Sequence, residues 1–508
     1  MESLYRTDLY HREFHVHGFR VHTGGVTRAP CALVVAYDTK DKCGDCDSTA
    51  LDSLGFAWLP SGGSPTVPFV IGPITNHDSN DDGGLLDIVV RVYAQNSERC
   101  WDQSYPDNWF VTVLDSTGER WHYDTQLYSN VSADTLDLGE LIPIDPGSRG
   151  SLHLMRTVAE KGWAWAKGRV SPSQAIAPVR VRWSHLYSEN PIAGGTFYDR
   201  SSGDIYVDGR NNASALFPDE WDDPVVIHEY GKHVAMQFGA LGDIAGNPSV
   251  CNQYSDSLGW NEGWASFYAC FNQARLGFNS NYVDVGVDPD GSKSNFTMNL
   301  ETGCVTPACP GGCAYALGAG NEVAVGGALW DIYDAVNDNP NGDGIGDLIS
   351  DGPNLIWSTL VASRPHTALA FQTAYVAANS SPTGNFQRYW RLRQLFWEHG
   401  IGVPLTSIEE EFVPKALTLM KARPNPFNPR TRIGFFIPGS AGAMVRLTIF
   451  DVRGARVRDV VRSVLAAGLH EVEWDGRDET GGQAASGVYF CKLWTPMGER
   501  SMKMVLAK

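Results

Sequence analysis

Two neighbouring stretches decide the fold of the central part of the chain: Asp222-Asp-Pro-Val-Val-Ile-His-Glu-Tyr-Gly-Lys-His-Val234 and Gly259-Trp-Asn-Glu-Gly-Trp-Ala-Ser-Phe-Tyr268. Pro224 suits the first turn of a helix, where its missing N–H costs nothing, and the aspartates before it complement the helix N-terminus. A His-Glu pair, a second histidine one turn later and a glutamate on a following helix are typical of a zinc ion presented with a base beside it. The sequence therefore predicts a pair of helices with the elements of a metal site.

The spacing of the two histidines departs from the usual pattern. In His-Glu-x-x-His the imidazoles are four residues apart and point within about 40° of each other. Here Lys232 occupies the fourth position and the second histidine is His233, so on a regular helix it diverges from His228 by about 140°. A shared metal would require a local π-type widening, which Gly231 would tolerate best.

Composition restricts the function classes. A chain of 508 residues is too long for one core, so we expect two to four domains. The net charge of −18 argues against a nucleic-acid partner and suits a soluble secreted surface. We expect no membrane span, because no apolar run approaches the roughly 20 residues that one requires. An export signal is not visible at Met1-Glu-Ser-Leu-Tyr5, so either the start was trimmed or misassigned, or the protein stays inside the cell.

The cysteines are even in number and cluster in loops, which favours disulfide bonds in an oxidising compartment. The ten positions are Cys31, Cys43, Cys46, Cys100, Cys251, Cys270, Cys304, Cys309, Cys313 and Cys491. A structural zinc site is the alternative, although Cys43-Gly-Asp-Cys46 has no second Cys-x-x-Cys at finger spacing. Reduced thiols would follow if the protein remained inside the cell.

The pattern of secondary structure changes twice along the chain. Short β-rich runs up to about residue 141 predict a β-sandwich, and they resemble transthyretin-like or carboxypeptidase-regulatory-like modules. Helical spacing begins after Pro146 and continues, with some strands, to a linker near residue 408. The predicted fold class is multidomain: an N-terminal β-sandwich (1–145), an α+β zincin-like domain (146–408) and a C-terminal Ig-like β-sandwich (409–508).

The central part resembles the gluzincin metallopeptidases, whose third zinc ligand is the glutamate of an Asn-Glu motif such as Asn261-Glu262-Gly263. By that resemblance His228, His233 and Glu262 would hold zinc, and Glu229 would take a proton from the zinc-bound water. The implied reaction is hydrolysis of a peptide bond in a peptide or protein substrate.

A strand at the edge of the sheet would hold an extended substrate in such a peptidase. The hairpin from Thr196 to Val207, just before the His228 helix, fits that role. Its residues also suit an ordinary part of the sheet.

Two residues depart from the gluzincin pattern. Lys232 stands where a ligand histidine is expected, and Ser266 stands where gluzincins commonly place an aspartate that orients the first histidine. The dipeptidyl peptidase III family resembles this stretch in having a five-residue histidine spacing with a working zinc. A secreted zinc peptidase is therefore predicted, and a non-catalytic zincin-like binding or adhesion protein with a degenerate metal site is the alternative.

Other carboxylates give weaker signals. The loop from Asp338 to Asp347 alternates oxygen ligands with glycine, which suits calcium or an ordinary Asn/Asp/Gly turn. Glu322, Asp331 and Asp334 lie on a helical segment, where they could support the metal ligands or simply face solvent.

The tail from Ala416 combines a Pro-Asn-Pro-Phe-Asn-Pro motif (424–429) with alternating strands joined by Asp-Gly and Ser-Gly turns, which predicts a small β-sandwich. It resembles the FlgD-like Ig-like domain that overlaps with type IX secretion sorting domains. The resemblance implies contact with the secretion machinery, export across an outer membrane, and release or anchoring at the cell surface. A purely structural sandwich is the alternative.

Overall fold

The structure is a computed structural model of the chain. It describes residues 13–18, 20–21, 32–39, 51–58, 69–75, 86–97, 109–131, 135–138, 140–141, 143, 145–170, 176–184, 195–209, 219–243, 251–278, 281–284, 296–301, 303–306, 317–334, 349–381, 386–402, 417–420, 422, 425–438, 442–466 and 468–507. The contacts divide the chain into two compact units, one of residues 1–379 and 395–402 and the other of residues 380–394 and 403–508.

The first unit combines strands and helices. Its described strands are β1 (Glu13–Gly18), β2 (Arg20–Val21), β3 (Ala32–Thr39), β4 (Leu51–Trp58), β5 (Phe69–Thr75), β6 (Leu86–Ser97), β7 (Trp109–Leu114), β8 (His122–Asp124), β9 (Tyr128–Val131), β10 (Thr135–Asp137), β11 (Glu140–Leu141), β12 (Val179–Arg182), β13 (Phe197–Asp199), β14 (Asp204–Tyr206), β15 (Tyr282–Asp284), β16 (Phe296–Asn299) and β17 (Cys304–Thr306).

In the sequence, the described helices follow β11 and precede the strands of the C-terminal sandwich. They are α1 (Pro146–Arg156), α2 (Ala164–Lys167), α3 (Asp223–Gln237), α4 (Asp256–Ala274), α5 (Glu322–Tyr333), α6 (Pro353–Ser363), α7 (Ala368–Asn379) and α8 (Phe386–Glu398), together with a π-helical turn at Thr157–Trp163 and a 3₁₀ turn at Asp219–Trp221. In the described part of the chain, we find no helix with the length and hydropathy of a membrane span.

One mixed sheet crosses the domain boundary predicted at residues 145 and 146. Its strand order is β13-β14-β12-β7-β6-β3-β4, with β8 and β9 pairing onto β6. Strands β7 and β12 lie on opposite sides of the predicted boundary and pair in parallel, and α1 between them packs on β6 and β7. The N-terminal strands therefore share a layer with later strands, where the sequence predicted a separate β-sandwich. Short strands reveal their own presence but not their neighbours, so the sequence did not predict this shared sheet.

The helical layer is held by α4, which packs between α3 and α5. Every residue from Leu258 to Gln273 on α4 is buried. Such a helix can approach its neighbours closely only where side chains are small. A methyl group at Gly263 would lie 2.5 Å from Cβ of Val325 on α5, and one at Gly231 on α3 would lie 3.0 Å from Cβ of Tyr268 on α4.

We expect Gly263→Ala to destabilise the first unit by about 1–3 kcal/mol, because the added methyl overpacks the α4–α5 contact. Gly168→Ala is the matched control. Gly168 has helical dihedral angles, and the nearest atom to an added Cβ would be 3.6 Å away. The midpoint of thermal unfolding, followed by circular dichroism, should fall for Gly263→Ala and stay constant or rise for Gly168→Ala. Equal midpoints for the two variants would contradict this packing.

The second unit contains two antiparallel sheets. Its described strands are β18 (Thr418–Leu419), β19 (Thr431–Ile437), β20 (Ala443–Asp451), β21 (Arg456–Leu465), β22 (Gly468–Trp474), β23 (Gly487–Thr495) and β24 (Gly498–Leu506). They form sheets in the orders β18-β19-β22 and β21-β20-β23-β24. Inward-facing side chains of both sheets, including Phe435, Leu447, Trp474 and Leu493, form one buried cluster. The predicted C-terminal sandwich is present.

The Pro-Asn-Pro-Phe-Asn-Pro motif covers the free edge of β24. The Asn425 side chain accepts a hydrogen bond from Val505 N (2.8 Å) and donates one to Lys503 O (3.2 Å). The backbone of Phe427 then exchanges hydrogen bonds with Val505 and Ala507. An uncovered edge strand is a template for pairing with another chain, so this motif protects the C-terminal sandwich from such association.

Asn425→Ala should weaken this edge by about 1 kcal/mol, because two hydrogen bonds are lost. Asn428→Ala is the control, since the structure assigns no hydrogen bond to the Asn428 side chain within the described residues. Hydrogen–deuterium exchange of peptides covering residues 498–507 should accelerate several-fold in Asn425→Ala and remain at the native rate in Asn428→Ala. Unchanged exchange in both would contradict the capping role.

The cysteines and the calcium loop are described only in part. Cys251 is disulfide-bonded, as the loop clustering predicted. Cys270 and Cys491 are instead buried free thiols, and burial raises the pKa of each to about 12. The side chains of the other seven cysteines and the predicted calcium loop from Asp338 to Asp347 lie outside the described residues.

Candidate functional site

Helices α3 and α4 bring most of the predicted site residues together. Helix α3 is α-helical throughout, so the π-type widening considered for His228 and His233 does not occur. The indole N–H of Trp264 on α4 donates to the carbonyl of Gly231 on α3 (3.0 Å), which fixes the two helices at close range. The π-helical turn of this unit lies at Thr157–Trp163 instead.

Three side chains meet at one carboxylate oxygen between the helices. His228 Nε2 lies 2.9 Å from Glu262 Oε2, and Lys232 Nζ lies 2.8 Å from the same oxygen. The Lys232 side chain is only 15% exposed. The ammonium group thus stands where two of the predicted metal ligands converge.

Glu229, the predicted general base, has both oxygens engaged. Lys232 Nζ donates to its Oε1 at 3.1 Å. The backbone N–H of Tyr198 on β13 donates to its Oε2 at 2.7 Å. Strand β13 is the edge strand that the sequence predicted for substrate binding, and the edge position is confirmed. Its N–H at Tyr198 is directed to Glu229, so this backbone donor is already in use.

His233 lies apart from the other predicted ligands. Its Nε2 is 2.8 Å from the carbonyl oxygen of Ala177, and its Nδ1 is buried without a partner among the described residues. The ring packs against Tyr198 and Tyr230. Burial lowers the pKa of His233 to about 4, against the opposing effect of the Ala177 carbonyl. His233 is therefore a neutral core residue that donates to the backbone.

Ser266 takes the place next to His228 that an orienting aspartate would occupy. The Ser266 hydroxyl lies 3.2 Å from His228 Nδ1. A neutral imidazole with its proton on Nε2 satisfies both contacts, because it donates to Glu262 and accepts from Ser266. Ser266 therefore contacts the far side of the ring with a neutral hydroxyl, where an aspartate would carry a negative charge.

The charges in the cluster fix the protonation states. Burial opposes the charged form of Glu262, but Lys232 and His228 outweigh it and lower its pKa to about 2. Burial also opposes the charge on Lys232, and the two glutamates outweigh it and raise the lysine pKa. The result is a protonated ammonium between two carboxylates, a compensated arrangement for buried charges.

The donor set does not fit one zinc ion in the gluzincin manner. His228 and Glu262 converge, but the third predicted ligand, His233, is bound to Ala177 on another side of α3. A protonated amine has no lone pair to give to a metal, and Lys232 contacts both carboxylates. Of the weaker carboxylate candidates, Asp331 pairs with His399 at 2.7 Å.

Sequence reasoning missed the two backbone groups that complete the arrangement. The N–H of Tyr198 and the carbonyl of Ala177 determine how Glu229 and His233 are used. Backbone groups carry no residue-specific signal, so no motif could have identified them. The replacement at Lys232 was the visible signal.

Comparison with known proteins supports one part of the chain. The FlgD Ig-like domain family matches residues 428–494, which confirms the C-terminal part of the predicted resemblance. A search of curated protein sequences finds no significant match to the chain.

Several solved structures share a short region with this chain. PorZ, a surface component of the type IX secretion system of Porphyromonas gingivalis, is 24% identical over 17% of this chain and 11% of its own length, with a TM-score of 0.14. Latent PorU from the same organism is 19% identical over 19% of this chain and 10% of its own length, with a TM-score of 0.17. FlgD from P. aeruginosa is 23% identical over 15% of this chain and 59% of its own length, with a TM-score of 0.13. Each is matched over less than two thirds of its length, so the FlgD Ig-like assignment rests on the family match.

Lys232→Met should destabilise the first unit by about 3 kcal/mol, because it leaves Glu229 and Glu262 buried without their shared cation. Lys492→Met is the control. Its ion pair with Glu499 is exposed on both sides, so removing it should cost less than about 1 kcal/mol. Thermal unfolding at pH 7 should show a clearly lower midpoint for Lys232→Met. A Lys232→Met midpoint equal to or above the native one would mean that the ammonium does not hold the cluster.

Proposed function

We propose that this chain is an exported, non-catalytic binding or adhesion protein whose zincin-like unit has exchanged its metal for the side chain of Lys232. The observation that carries the proposal is the position of the Lys232 ammonium, 3.1 Å from Glu229 and 2.8 Å from Glu262. The natural occupant of a space between two carboxylates is a cation, and here the chain supplies it.

The chemistry of hydrolysis explains why this exchange matters. A zinc peptidase needs an open metal position for water and a carboxylate free to take the water's proton. Each oxygen of Glu229 already accepts a hydrogen bond, Oε1 from Lys232 and Oε2 from the Tyr198 N–H. A carboxylate held in this way is a structural acceptor.

The C-terminal domain supports export. The FlgD Ig-like match covers strands β19, β20, β21 and β22 and most of β23, and the covered edge of β24 suits a tail that must remain monomeric in transit. We propose that this domain is a type IX sorting domain, that its partner is the secretion machinery, and that the mature protein is secreted or anchored at the cell surface.

A secreted zinc peptidase is the second candidate. The close approach of His228 Nε2 to Glu262 Oε2, with Glu229 Oε1 3.8 Å from the same imidazole nitrogen, favours it. Two ligands and a base are thus in place, and a zinc ion would supply an activated water if Lys232 turned away and a further ligand were found. The calcium site at residues 338–347 likewise stays a prediction.

Zinc content separates the two candidates. Native protein purified in the presence of zinc should contain well under 0.1 zinc per chain by mass spectrometry of the metal, because no third ligand among the described residues reaches His228 and Glu262. Lys232→His creates the four-residue spacing on a regular helix, so that variant should bind about one zinc per chain and unfold at a higher temperature when zinc is added.

Two control variants complete the experiment. His228→Ala in the Lys232→His background should abolish the zinc binding, and Glu229→Gln in that background should leave it in place. One zinc per native chain that is lost in His228→Ala, together with proteolysis that is lost in Glu229→Gln, would replace the proposal with the zinc peptidase.

A further inference from the structure

The outward face of the larger C-terminal sheet carries an unusual set of side chains. Because successive residues of a strand face opposite ways, Leu447 and Leu493 point into the core and their neighbours point outward. Register places Arg446 beside Trp494, Thr448 beside Lys492, and Phe450 beside Phe490. Aromatic rings therefore stand at both ends of a polar centre, and rows 446 and 450 are about 13 Å apart along the strand.

A groove of 380 Å³ opens on this face. It is lined by Arg446, Thr448, Phe450, Lys492, Trp494 and Glu499, which we call the outer groove. Trp494 is 44% exposed, and Phe490 next to the groove is 41% exposed. Large aromatic side chains left in water on a flat sheet need an explanation, and a ligand with apolar faces and polar edges provides one.

Other parts of the chain cover a portion of each edge of the sheet, where the simplest peptide-binding mode would act. An extended peptide usually adds to a free edge by backbone pairing. The β24 edge is covered by Asn425 and Phe427. On the other side, Glu479 bonds to Val457 and Asp459 of β21. Recognition is therefore left to the face and its side chains.

The charges on the face favour an anion. Lys492 and Glu499 form an ion pair at 2.8 Å, which leaves Arg446 as the groove's excess charge. Arg462 lies beside Arg446 on β21, and Lys503 lies beside Phe490 on β24. The aspartate nearest the groove, Asp459, already accepts from Thr448 and Arg456. The outer groove thus combines aromatic surfaces with a net positive charge.

We propose that the outer groove binds an acidic oligosaccharide of two or three sugar rings. Trp494 stacks on the C–H face of one ring, whose slightly positive hydrogens are attracted to the negative face of the indole. The Lys492–Glu499 pair offers a donor and an acceptor to neighbouring hydroxyls, and Arg446 pairs with a carboxylate of the sugar. The inference uses the C-terminal sandwich alone and is independent of the metal content at His228.

Calorimetric titration of the full chain with trigalacturonate, with maltotriose as the neutral probe, tests the proposal. The native protein should bind trigalacturonate saturably and maltotriose at least fivefold more weakly. Trp494→Ala should weaken trigalacturonate binding about tenfold, because the stacking surface is lost. Phe56→Ala is the control, since Phe56 is 59% exposed in the first unit and should have no effect. Arg446→Gln should bring the affinities for the two sugars together.

Three results would overturn the proposal. One is the absence of saturable binding to trigalacturonate at low millimolar concentration. Another is equal affinity of the native protein and Trp494→Ala. The third is tighter binding of an acidic peptide, hexa-aspartate, than of trigalacturonate, which would assign the groove to acidic polypeptides. Trp494 is exposed, so its variant is expected to fold, and matching circular dichroism spectra check this.

Discussion

The contact of the Lys232 ammonium with Glu229 and Glu262 is the interaction on which the centre of this molecule depends. Two carboxylates buried between helices would repel each other, and one cation placed between them removes that cost. In a metallopeptidase the cation is a zinc ion with open coordination. Here the cation is the Lys232 ammonium, which folding of the chain places between the carboxylates. An ammonium group has no coordination position for a water molecule. The same lysine can therefore hold α3 and α4 together and, in the function proposed above, take the place of a catalytic metal.

The contacts around the cluster suit the proposed site without a metal. Glu229 on α3 accepts a hydrogen bond from the backbone N–H of Tyr198 on the edge strand β13. In a peptidase, a substrate would lie along that strand and Glu229 would act as the base. His233 donates to Ala177, and the Ser266 hydroxyl contacts Nδ1 of His228. Each of these bonds satisfies a buried polar group at the predicted metal site. Together they describe a packed core in which polar residues are retained for structure.

The sequence predicted much of this arrangement, and its failures have clear physical reasons. Helices α3 and α4 were predicted from Pro224 and from the apolar residues around Glu262, and the sandwich at the C-terminus was predicted from its turn residues. The sequence did not predict the sheet that crosses residue 145, because the parallel pairing of β7 with β12 joins strands separated by α1. His233 could join the metal ligands only if α3 were widened by a π-type turn. The helix is regular there and packs well on Tyr268, so nothing in its geometry favours such a turn. Lys232 was visible in the sequence, but only the structure shows which carboxylates it reaches.

Diffraction data collected at the zinc absorption edge, from crystals of the native protein grown with excess zinc, test this account most directly. We predict no anomalous peak within bonding distance of His228 Nε2 and Glu262 Oε2, and electron density for the Lys232 ammonium in contact with both glutamates. A fully occupied anomalous peak bound by His228 and Glu262, with Lys232 turned out of the cluster, would contradict it.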